Sequence, residues 1–375
     1  MPPNRVGIGG PVLCGTALLL VGAGCVPLAG NSPPAELELT FNTGRAAATA
    51  AGVEPAVFTS EPIFQEIPGR IGSHAPTLTA FPDGELLAAW YSYVGPHELD
   101  GAAIYTARRP ASDTVWQPPA LLVDRPQADG NPVLYSEGAE VWLFQAVVSA
   151  GWSSARIEVQ RSADRGVTWT PPTIIAGPLG ANVRHPPVRT PDGSLLLPAY
   201  DDLWQWSLFF RSDDGGTWAL AAAVATPAPN QNLQPSVARL ADGRLLAVMR
   251  NAGTGWLWVM ASDDDGRTWS PPRDSGFPNP GSPAVLLTLH SGNLVLVFND
   301  DNARRAPLSI ALSPDEGLTW TTPRVLADGT GQYAYPAAVQ TPDDLVHVVY
   351  SHDRAYIAHV TVNEAWIVAA DVSPH

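Results

Sequence analysis

The sequence contains no lysine, and arginine alone supplies its 21 basic side chains. Asp and Glu together number 36, so the formal net charge of the 375 residues is −15. Such a chain offers no basic surface for a nucleic-acid backbone, and we expect no nucleic-acid partner. If the ligand is an anion, a few clustered arginines have to bind it against the unfavourable field of the whole protein.

Cysteine is almost absent, because the only two, Cys14 and Cys25, stand close to the N-terminus. The rest of the chain therefore holds no disulfide framework, no zinc cluster built on cysteine and no cysteine nucleophile. It also shows no metal-ligand spacing, phosphate-binding loop or cofactor fingerprint, so we predict neither a metal nor a cofactor. Apolar residues make up 45% of the sequence, which argues against extensive disorder.

The N-terminal segment has the pattern of an export signal. Arg5 precedes an apolar run over residues 11–21 that is too short and too rich in glycine for a membrane span. The run leads into Gly-Ala-Gly ahead of Cys25, which resembles a bacterial lipoprotein cleavage box. We predict a lipoprotein-type signal peptide over residues 1–25, lipidation of Cys25 and a tether over residues 26–55. The exported protein would be periplasmic, or on the outer membrane or cell surface through this lipid anchor alone; plain secretion is the alternative.

A turn motif recurs along the chain at intervals of about 50 residues. Its pattern is Ser-x-Asp-x-Gly-x-Thr-Trp, complete or nearly so in four segments, and a degenerate fifth copy runs from Ser112 to Trp116. Self-similarity at a fixed period indicates a repeat architecture. The four fuller copies lie at residues 162–169, 212–218, 262–269 and 313–320.

A second series of turns runs in step with the first. Asp-Gly, or a close variant, stands between two apolar runs in five places, which indicates β-hairpins. Gly (33) and Pro (38) are abundant, as expected for a chain with many turns and few long helices. These turns begin at Pro82, Pro191, Ala241, Ser291 and Pro342.

Each repeat therefore contains four antiparallel strands, which is the composition of a propeller blade. We predict an all-β fold, a six-bladed β-propeller with four-stranded antiparallel blades, over residues 56–365, followed by a C-terminal tail over residues 366–375. The last blade has only about three strands before the C-terminus, and residues 56–67 are predicted to supply the missing strand and close the ring. The first strands of the six blades begin near residues 74, 131, 185, 234, 282 and 335.

Polar residues precede a proline where these first strands begin. Proline suits the first position of a strand, where its missing N–H costs little. Five residue types occur at the six positions, which indicates a pocket adapted to a ligand; exposed turns are the alternative. Strand order puts this pocket on the face opposite both series of turns. The residues are His74, Asn131, His185, Gln234, Ser282 and Tyr335.

More polar side chains fall on the same face, where second strands end and third strands begin. Arginines there can hold a sugar carboxylate through paired hydrogen bonds. For each single arginine, a surface charge or a salt bridge between blades is the alternative. The predicted substrate-binding residues are Asn131, Gln234, Arg250, Arg305, Tyr350 and Arg354.

The turn motif resembles the Asp box of the sialidase-like (BNR-repeat) propellers, and the resemblance covers roughly residues 56–365. In that family the Asp and Ser of the box tie the turn, and its Trp packs between strands. The resemblance therefore implies that the Asp-box carboxylates serve folding and not catalysis. It also implies that Trp169, Trp269 and Trp320 are buried and far from the pocket.

Sialidases bind the substrate carboxylate with three arginines, and they use a tyrosine nucleophile assisted by a carboxylate together with an aspartate acid/base. Arg250 and Arg305 resemble the second and third arginines, and Tyr335 resembles the nucleophile. The first arginine belongs to an Arg-Ile-Pro segment, which is replaced here by His-Ala-Pro beginning at His74. His74, Tyr335 and His185 are the predicted catalytic residues.

Three functions stay open at this point. An exported sialidase-type glycoside hydrolase would remove terminal acidic sugars from a glycan. A polysaccharide lyase would instead cleave at a glucuronate capped by rhamnose, as in a bacterial and fungal subgroup that the segments at His74, Asn131 and Tyr335 resemble. In that case His74 would act as acid or base, and Arg250 or Arg305 would stabilise the enolate-like intermediate. A non-catalytic glycan-binding propeller is the third, because a propeller fold does not decide function.

Overall fold

The computed structural model describes residues 42–45, 54–226, 231–251 and 253–369. Cys25 and the predicted signal segment lie outside the described residues, so export and lipidation stay predictions. Within the described part of the chain, no helix combines the length and the apolar character needed to cross a membrane.

The regular secondary structure in the first half of the described chain is almost entirely β-strand. Turn residues separate the apolar runs, as the Asp-Gly and Asp-box signals predict. One short 3-10 turn, Trp152–Ser154, lies among them. The strands are β1 (Asn42–Arg45), β2 (Phe58–Pro62), β3 (Gly72–Ala80), β4 (Leu86–Tyr93), β5 (Ala103–Arg109), β6 (Ala120–Val123), β7 (Ala128–Glu137), β8 (Glu140–Val148), β9 (Arg156–Ser162), β10 (Thr173–Ile174), β11 (Ala181–Val183), β12 (Val188–Arg189), β13 (Leu195–Asp201), β14 (Trp206–Ser212) and β15 (Ala219–Val224).

The second half continues in the same way and ends in one short helix, α1 (Glu364–Val368). Asn363 caps this helix, because its side chain accepts a hydrogen bond from the N–H of Trp366 at 3.0 Å. The strands are β16 (Leu233–Arg239), β17 (Leu245–Arg250), β18 (Trp256–Ser262), β19 (Arg273–Pro278), β20 (Val285–Thr288), β21 (Leu294–Asn299), β22 (Leu308–Ser313), β23 (Thr319–Trp320), β24 (Arg324–Ala327), β25 (Tyr333–Gln340), β26 (Val346–His352) and β27 (Tyr356–Val362).

Six antiparallel sheets form the blades of a propeller, which confirms the predicted fold. Blade 1 contains β3 to β6, blade 2 contains β7 to β10, and blade 4 contains β16 to β19. Blade 5 contains β20, β21, β22 and β24. Blade 3 has five strands, because its innermost strand is interrupted and both β11 and β12 pair with β13. The two-residue β23 lies outside the blades and pairs in parallel with β1.

The ring closes through the N-terminal side of the propeller. Blade 6 consists of β25, β26 and β27 with β2 as its outer strand, so the predicted strand from residues 56–67 is present. β2 pairs antiparallel with β27, with Phe58 opposite Val362. This pairing joins the two ends of the propeller chain in one blade and so holds the ring closed.

The hydrophobic core lies between neighbouring blades. Side chains of a strand alternate between its two faces, and both faces of a blade are covered by other blades. In β17, Leu246 and Val248 enter the apolar cluster shared with blade 5. Leu245 and Ala247 enter the cluster shared with blade 3. Burial on both faces explains why these strands are apolar at nearly every position.

The three full-length Asp boxes share the same hydrogen bonds, whereas in the shorter box of blade 3 the N–H of Gly216 donates to Asp214. In the box of blade 2, the N–H of Gly166 donates to Ser162 Oγ at 2.7 Å, and the N–H and hydroxyl of Thr168 donate to the Asp164 carboxylate at 2.8 and 2.7 Å. These donors, the Thr168 N–H first, lower the pKa of Asp164 to about 2. The carboxylate is held as a turn ligand, as the resemblance implies.

The Asp-box tryptophans are less uniform than predicted. Trp320 is 2% exposed and packs with its ring edge against Phe277. Trp169 and Trp269 are only half-buried, so the expectation of full burial was wrong for these two. Trp269 stacks on Phe209 with ring centroids 4.3 Å apart, which covers one face of the indole.

Regular secondary structure extends beyond both predicted ends of the propeller. β1 lies within the range predicted as a tether. At the other end, Ile367 of α1 is 1% exposed and packs in the cluster between blades 5 and 6, although the tail was predicted to begin at residue 366. Helix propensity and capping act here over a single turn, which the strand-based repeat pattern does not register.

Candidate active site

A cavity of 240 Å³ opens on the face where first strands begin and second strands end. This is the face predicted for the pocket, opposite the Asp boxes. Its volume is below the roughly 300–1,000 Å³ of pockets that bury drug-sized ligands, so it suits a small ligand. The lining residues are Tyr91, Glu98, Asn131, Trp152, Tyr200, Asp202, Gln234, Arg250, Arg305, Tyr335 and Arg354.

Three of the lining side chains reach the cavity through the same backbone feature. Asn131, Gln234 and Tyr335 each precede a proline and have φ angles of 43°, 55° and 58°. The register between first and second strand shifts at each of them, so each lies in a β-bulge. A non-glycine residue in this region costs about 1–3 kcal/mol, and such residues cluster at ligand sites. The pre-proline pattern therefore marks residues that the bulges turn into the cavity.

Blade 1 carries the same bulge, but Ala75 occupies it with a φ of 51°. His74, one residue earlier, is 1% exposed and lies behind the cavity wall. Its Nδ1 is 2.8 Å from Ser351 Oγ, and its Nε2 has no hydrogen-bond partner among the described residues. Burial and four arginines, Arg354 first, hold the pKa of His74 well below its usual value, so the imidazole is neutral at pH 7. The structure thus places His74 outside the cavity lining.

Two other predicted site residues also lie away from the cavity. His185 is 1% exposed, and burial with the neighbouring charge of Arg184 lowers its pKa well below the usual value. Tyr350 is 3% exposed and packs with Ala358 in the apolar cluster between blades 5 and 6. Side chains alternate along β26, so Tyr350 faces the neighbouring blade while Ser351 turns toward blade 1.

Two arginines in the cavity donate hydrogen bonds to neutral groups. Arg250 Nη1 donates to Gln234 Oε1 at 3.2 Å and to the Tyr335 hydroxyl at 3.3 Å. Arg305 Nη2 donates to the carbonyl of Gly281 at 2.9 Å. Among the described residues, neither forms a salt bridge, so both guanidiniums are available to an anionic ligand.

A third arginine, Arg354, enters beside blade 1 from the turn between β26 and β27. Its carbonyl accepts a hydrogen bond from the N–H of Ser73 at 2.7 Å. Its Nη1 donates to Glu98 at 2.7 Å. Glu98 also accepts from the Tyr91 hydroxyl at 2.9 Å and from the Trp152 indole N–H at 3.0 Å. The carboxylate is therefore fixed by three donors and neutralises one of the three cations.

Tyr335 lies beneath these arginines. Arg305 Cζ stands 5.6 Å from the centroid of its ring. Burial by itself would raise the pKa of the phenol, but the charges of Arg250 and Arg305 outweigh it, and the pKa of Tyr335 is lowered. A phenol with a lowered pKa is a better nucleophile near neutral pH. Its side-chain neighbour on the floor is Gln234, an amide, which cannot take a proton from it.

Asp202 faces the cavity directly after β13. Asn182 Nδ2 donates to its Oδ2 at 2.8 Å. Burial raises the pKa of Asp202 to about 6, although the Asn182 hydrogen bond and the charge of Arg250 lower it. A carboxyl group with this pKa is partly protonated near neutral pH and can give a proton to a leaving group.

Five lining residues are not among the predicted site residues; Tyr91 and Tyr200 stand at the ends of second strands, where polar side chains were expected on this face, and the other three were missed from the sequence. Glu98 and Trp152 lie in loops of blades 1 and 2 that have no counterpart in the repeat pattern. Asp202 comes two residues after Tyr200, at the end of a second strand. The predicted strand order does place the ends of second strands on the pocket face. Its raised pKa depends on burial by other blades, which the sequence does not show.

The cavity as a whole combines an anion site with two acid–base groups. Two unpaired guanidiniums can hold a carboxylate, Tyr335 offers a phenol oxygen, and Asp202 offers a proton. Within the described residues, no group of three or more His, Cys, Asp or Glu side chains is arranged to hold a metal ion.

Residues 84–348 match the sequence model of the BNR repeat-like domain. The chain belongs to this family. The match spans the Asp boxes and the first strands of blades 2 to 6, so the family assignment rests on the same repeats that build the propeller. The BNR assignment fixes the architecture of the cavity and leaves its ligand open.

Two curated relatives of this BNR propeller are called sialidases. The sialidase of Micromonospora viridifaciens is 24% identical over 413 aligned residues, which cover 86% of this chain and 58% of that protein. The sialidase of Bacteroides fragilis is 22% identical over 292 residues, which cover 67% of this chain and 50% of that protein. The chain thus spans little more than half the length of the curated relatives it matches.

Solved structures share the fold. The Hadza microbial sialidase Hz136 matches with a TM-score of 0.70 at 19% identity, over 79% of this chain and 66% of that chain. A protein of unknown function from Dyadobacter fermentans matches with a TM-score of 0.70 at 20% identity, over 81% and 97%. The intramolecular trans-sialidase of Ruminococcus gnavus matches with a TM-score of 0.67 at 13% identity, over 80% and 96%. At these identities the likeness shows the fold alone.

Proposed function

We propose that this BNR propeller is a glycoside hydrolase that removes a terminal, carboxylate-bearing sugar of the sialic-acid type from a glycan. The observation that carries the proposal is the convergence of Arg250, Arg305 and Tyr335 in one small cavity. Arg250 and Arg305 form no salt bridge among the described residues and repel each other, so an anion bound between them is favourable even in a chain of net charge −15. The names of the curated relatives support the same class of substrate.

Arg354 supports a three-arginine carboxylate site despite the loss of Arg-Ile-Pro from blade 1. Its backbone is hydrogen-bonded to Ser73, the residue next to His74. A cation from blade 6 therefore reaches the side of the cavity where the missing arginine would start. Glu98 already pairs with it, so we assign the main hold on the carboxylate to Arg250 and Arg305, with Arg354 in support.

In the proposed reaction Tyr335 attacks as the phenolate, which its lowered pKa favours, and its oxygen bonds to the anomeric carbon as the glycosidic bond breaks. Asp202 gives its proton to the departing glycosidic oxygen, and its carboxylate then takes a proton from the water that attacks the anomeric carbon. That second attack breaks the sugar–tyrosine bond, releases the free sugar and restores the phenolate and the protonated Asp202. The lowered pKa of Tyr335 and the pKa of about 6 of Asp202 suit these roles.

The lyase alternative loses its main support. It drew on His74 as an acid or base, but His74 is 1% exposed and does not line the cavity. A non-catalytic carboxylate-binding propeller keeps one specific observation in its favour. Gln234 is hydrogen-bonded to Tyr335, and an amide cannot act as the base that a carboxylate provides to the nucleophile in sialidases.

The test is incubation with sialyl-lactose and, separately, with a rhamnose-capped arabinogalactan. Free sialic acid from the first substrate supports the hydrolase. Ultraviolet absorbance of an unsaturated uronate from the second would show a lyase instead. Binding of free sialic acid without any product from either glycan would show a binding module. Tyr335→Phe serves as the control for turnover in every arm.

We also propose that the protein is exported and anchored through Cys25. The support is the apolar run over residues 11–21 and the Gly-Ala-Gly that precedes the cysteine. Expression in a bacterium with labelled fatty acid tests it. The wild type should carry the label and sediment with membranes, whereas Cys25→Ser should carry none. Label in both, or in neither, would contradict the proposal.

A further inference from the structure

Arg184 is a buried cation beneath the cavity that the proposed reaction does not use. It lies in the interruption between β11 and β12 and is 1% exposed. Burial lowers the pKa of Arg184 to about 10, so its guanidinium is still charged at neutral pH. Among the described residues no carboxylate pairs with it, and its Nε has no hydrogen-bond partner. An unpaired charge in such a place is costly, which points to a role in the site.

The guanidinium of Arg184 reaches from blade 3 to the floor between blades 1 and 6. Nη1 donates to the carbonyl of Pro76 at 2.9 Å. Nη2 donates to the carbonyls of Tyr335 and Pro336 at 2.6 and 3.0 Å. Two of these carbonyls belong to the bulge that turns Tyr335 into the cavity with a φ of 58°. Arg184 therefore holds the strained backbone that aims the phenol.

The same group stands over the phenol ring. Arg184 Cζ is 5.4 Å from the ring centroid of Tyr335, close to the 5.6 Å of Arg305. Arg250 contacts the hydroxyl itself at 3.3 Å. Three cations thus surround one phenol, which favours its ionised form.

A bound substrate would affect the charges of these three arginines differently. A substrate carboxylate held by Arg250 and Arg305 would compensate their charges, and their effect on the phenol would weaken in the complex. Arg184 is closed off from the cavity and keeps its charge uncompensated. Its distance to the ring is set by three backbone hydrogen bonds and does not depend on the ligand.

We propose that Arg184 is a positioning residue that fixes the Tyr335 bulge and keeps the phenol ionisable when a carboxylate occupies the cavity. The proposal rests on the proposed function, because it explains the reactivity assigned to Tyr335. It goes beyond that function by assigning a role to a side chain that does not touch substrate. Arginine is suited to it, since its planar fork reaches several carbonyls at once and stays charged when buried.

The experiment is a phenolate titration of the ligand-free protein. The near-ultraviolet absorbance of each variant is compared with that of the same variant carrying Tyr335→Phe, which isolates this one tyrosine. Arg184→Gln removes the charge and keeps an amide donor for the carbonyls, whereas Arg184→Lys keeps the charge. Arg211→Gln is the matched control, because Arg211 is also a largely buried arginine, but it bonds to Asp192 and the Asp265 carbonyl on the opposite face.

We expect Arg184→Gln to lower the ionisation constant of Tyr335 at least about tenfold, given the strength of a unit charge at this distance and an effective dielectric constant of about 20. Arg184→Lys and Arg211→Gln should stay within about threefold of the wild type. A folded Arg184→Gln that titrates like the wild type would overturn the proposal. If that variant does not fold, Arg184→Lys decides: a constant within about threefold supports the proposal, and a tenfold loss overturns it.

The titration needs no substrate, so it separates this inference from the proposed function. A protein that cleaves no glycan while Arg184→Gln shifts the Tyr335 titration would refute the hydrolase and leave the positioning role intact. An active hydrolase in which Arg184→Gln leaves the Tyr335 titration unshifted would support the proposed function and refute the positioning role. Where activity is found, Arg184→Gln should lower kcat more than it changes KM, because the carboxylate-binding arginines are untouched.

Discussion

The imidazole of His74 packs against the phenol of Tyr335, with ring centroids 4.2 Å apart. The histidine stands where the family's first arginine would be, but it faces the nucleophile candidate from behind and not the cavity. Its Nδ1 is tied to Ser351, whose hydroxyl also accepts from the N–H of Ala75 at 3.1 Å. His74 is therefore part of the support for the Tyr335 ring.

This relationship predicts different effects for two substitutions. Tyr335→Phe should lower kcat at least about 10²-fold, because it removes the atom that attacks the sugar. His74→Ala should mainly lower the melting temperature and raise KM, because it leaves a cavity behind the ring. Steady-state kinetics of both variants on one active glycan measure the difference. A stable His74→Ala with a larger loss of kcat than Tyr335→Phe would restore the lyase assignment of His74.

The carboxylate site is tested by two neighbouring arginines. Arg305→Gln should raise KM about tenfold to a hundredfold, as expected for loss of a hydrogen bond to a charged group. Arg304→Gln is the matched control, because Arg304 is exposed and donates to the carbonyl of Gly329, away from the cavity lining. Its KM should be unchanged. If both substitutions raised KM equally, Arg305 would act only through the overall electrostatic field of the protein and not through a direct contact with the carboxylate.

Asp202 sets the expected pH dependence. As the proton donor it has to be protonated, and its pKa is about 6, so kcat/KM should decline as the pH rises above about 6. Asp202→Asn should lower the rate about 10²–10⁴-fold and remove that decline. Asp300→Asn is a suitable control, because burial also raises the pKa of Asp300, which does not line the cavity. A pH profile of Asp202→Asn that keeps the wild-type decline would exclude Asp202 as the acid.

The sequence predicted the propeller because its signals are local and repeated. Each Asp box folds from contacts within eight residues, such as Ser162 with Gly166, so its residue types show directly in the sequence. The pre-proline residues Asn131, Gln234 and Tyr335 were found for the same reason, since the bulge depends on the proline that follows. Six predicted site residues line the cavity: Asn131, Gln234, Arg250, Arg305, Tyr335 and Arg354.

The positions and roles of the remaining site residues depend on contacts between blades. A local sequence pattern does not show such contacts. Glu98 lies in a loop of blade 1 and gains its role from Arg354 of blade 6, 256 residues away. Arg184 acts on Tyr335 across the propeller axis, 151 residues away. His74 is buried and does not reach the cavity, and the cation on this side of it comes from Arg354 in the turn between β26 and β27.

The Asp-box tryptophans provide a stability test with a built-in comparison. Trp320→Ala should cost about 3–5 kcal/mol of unfolding free energy, because the indole is 2% exposed and its loss leaves a cavity between blades. Trp169→Ala should cost clearly less, because Trp169 is half-buried. Urea unfolding of the two variants measures both. Equal losses would show that the hydrogen bond of the indole N–H to the turn, and not burial, carries the effect.

A buried histidine pair lies at the closure of the ring. His347 Nδ1 is 3.0 Å from His359 Nε2, and His359 Nδ1 is 3.2 Å from Glu61 of the closing strand β2. Burial, with the charges of His359 and Arg109, lowers the pKa of His347 to about 2, and burial also lowers the pKa of His359. In the unfolded chain both titrate near 6.5. Below that pH the unfolded state binds more protons than the folded state, so stability falls with the pH.

The last prediction follows from this fall in stability with decreasing pH. Stability should be nearly constant from pH 8 to 7 and fall as the pH drops below about 6.5, with His347 alone accounting for about 2 kcal/mol of unfolding free energy at pH 5. His347→Gln should flatten the fall by this amount, because a neutral amide takes up no proton in either state. His290→Gln is the control, because His290 is exposed and lies outside the buried pair. Urea unfolding at several pH values measures the slopes, and a His347→Gln variant that keeps the wild-type slope would rule out the buried pair as its origin.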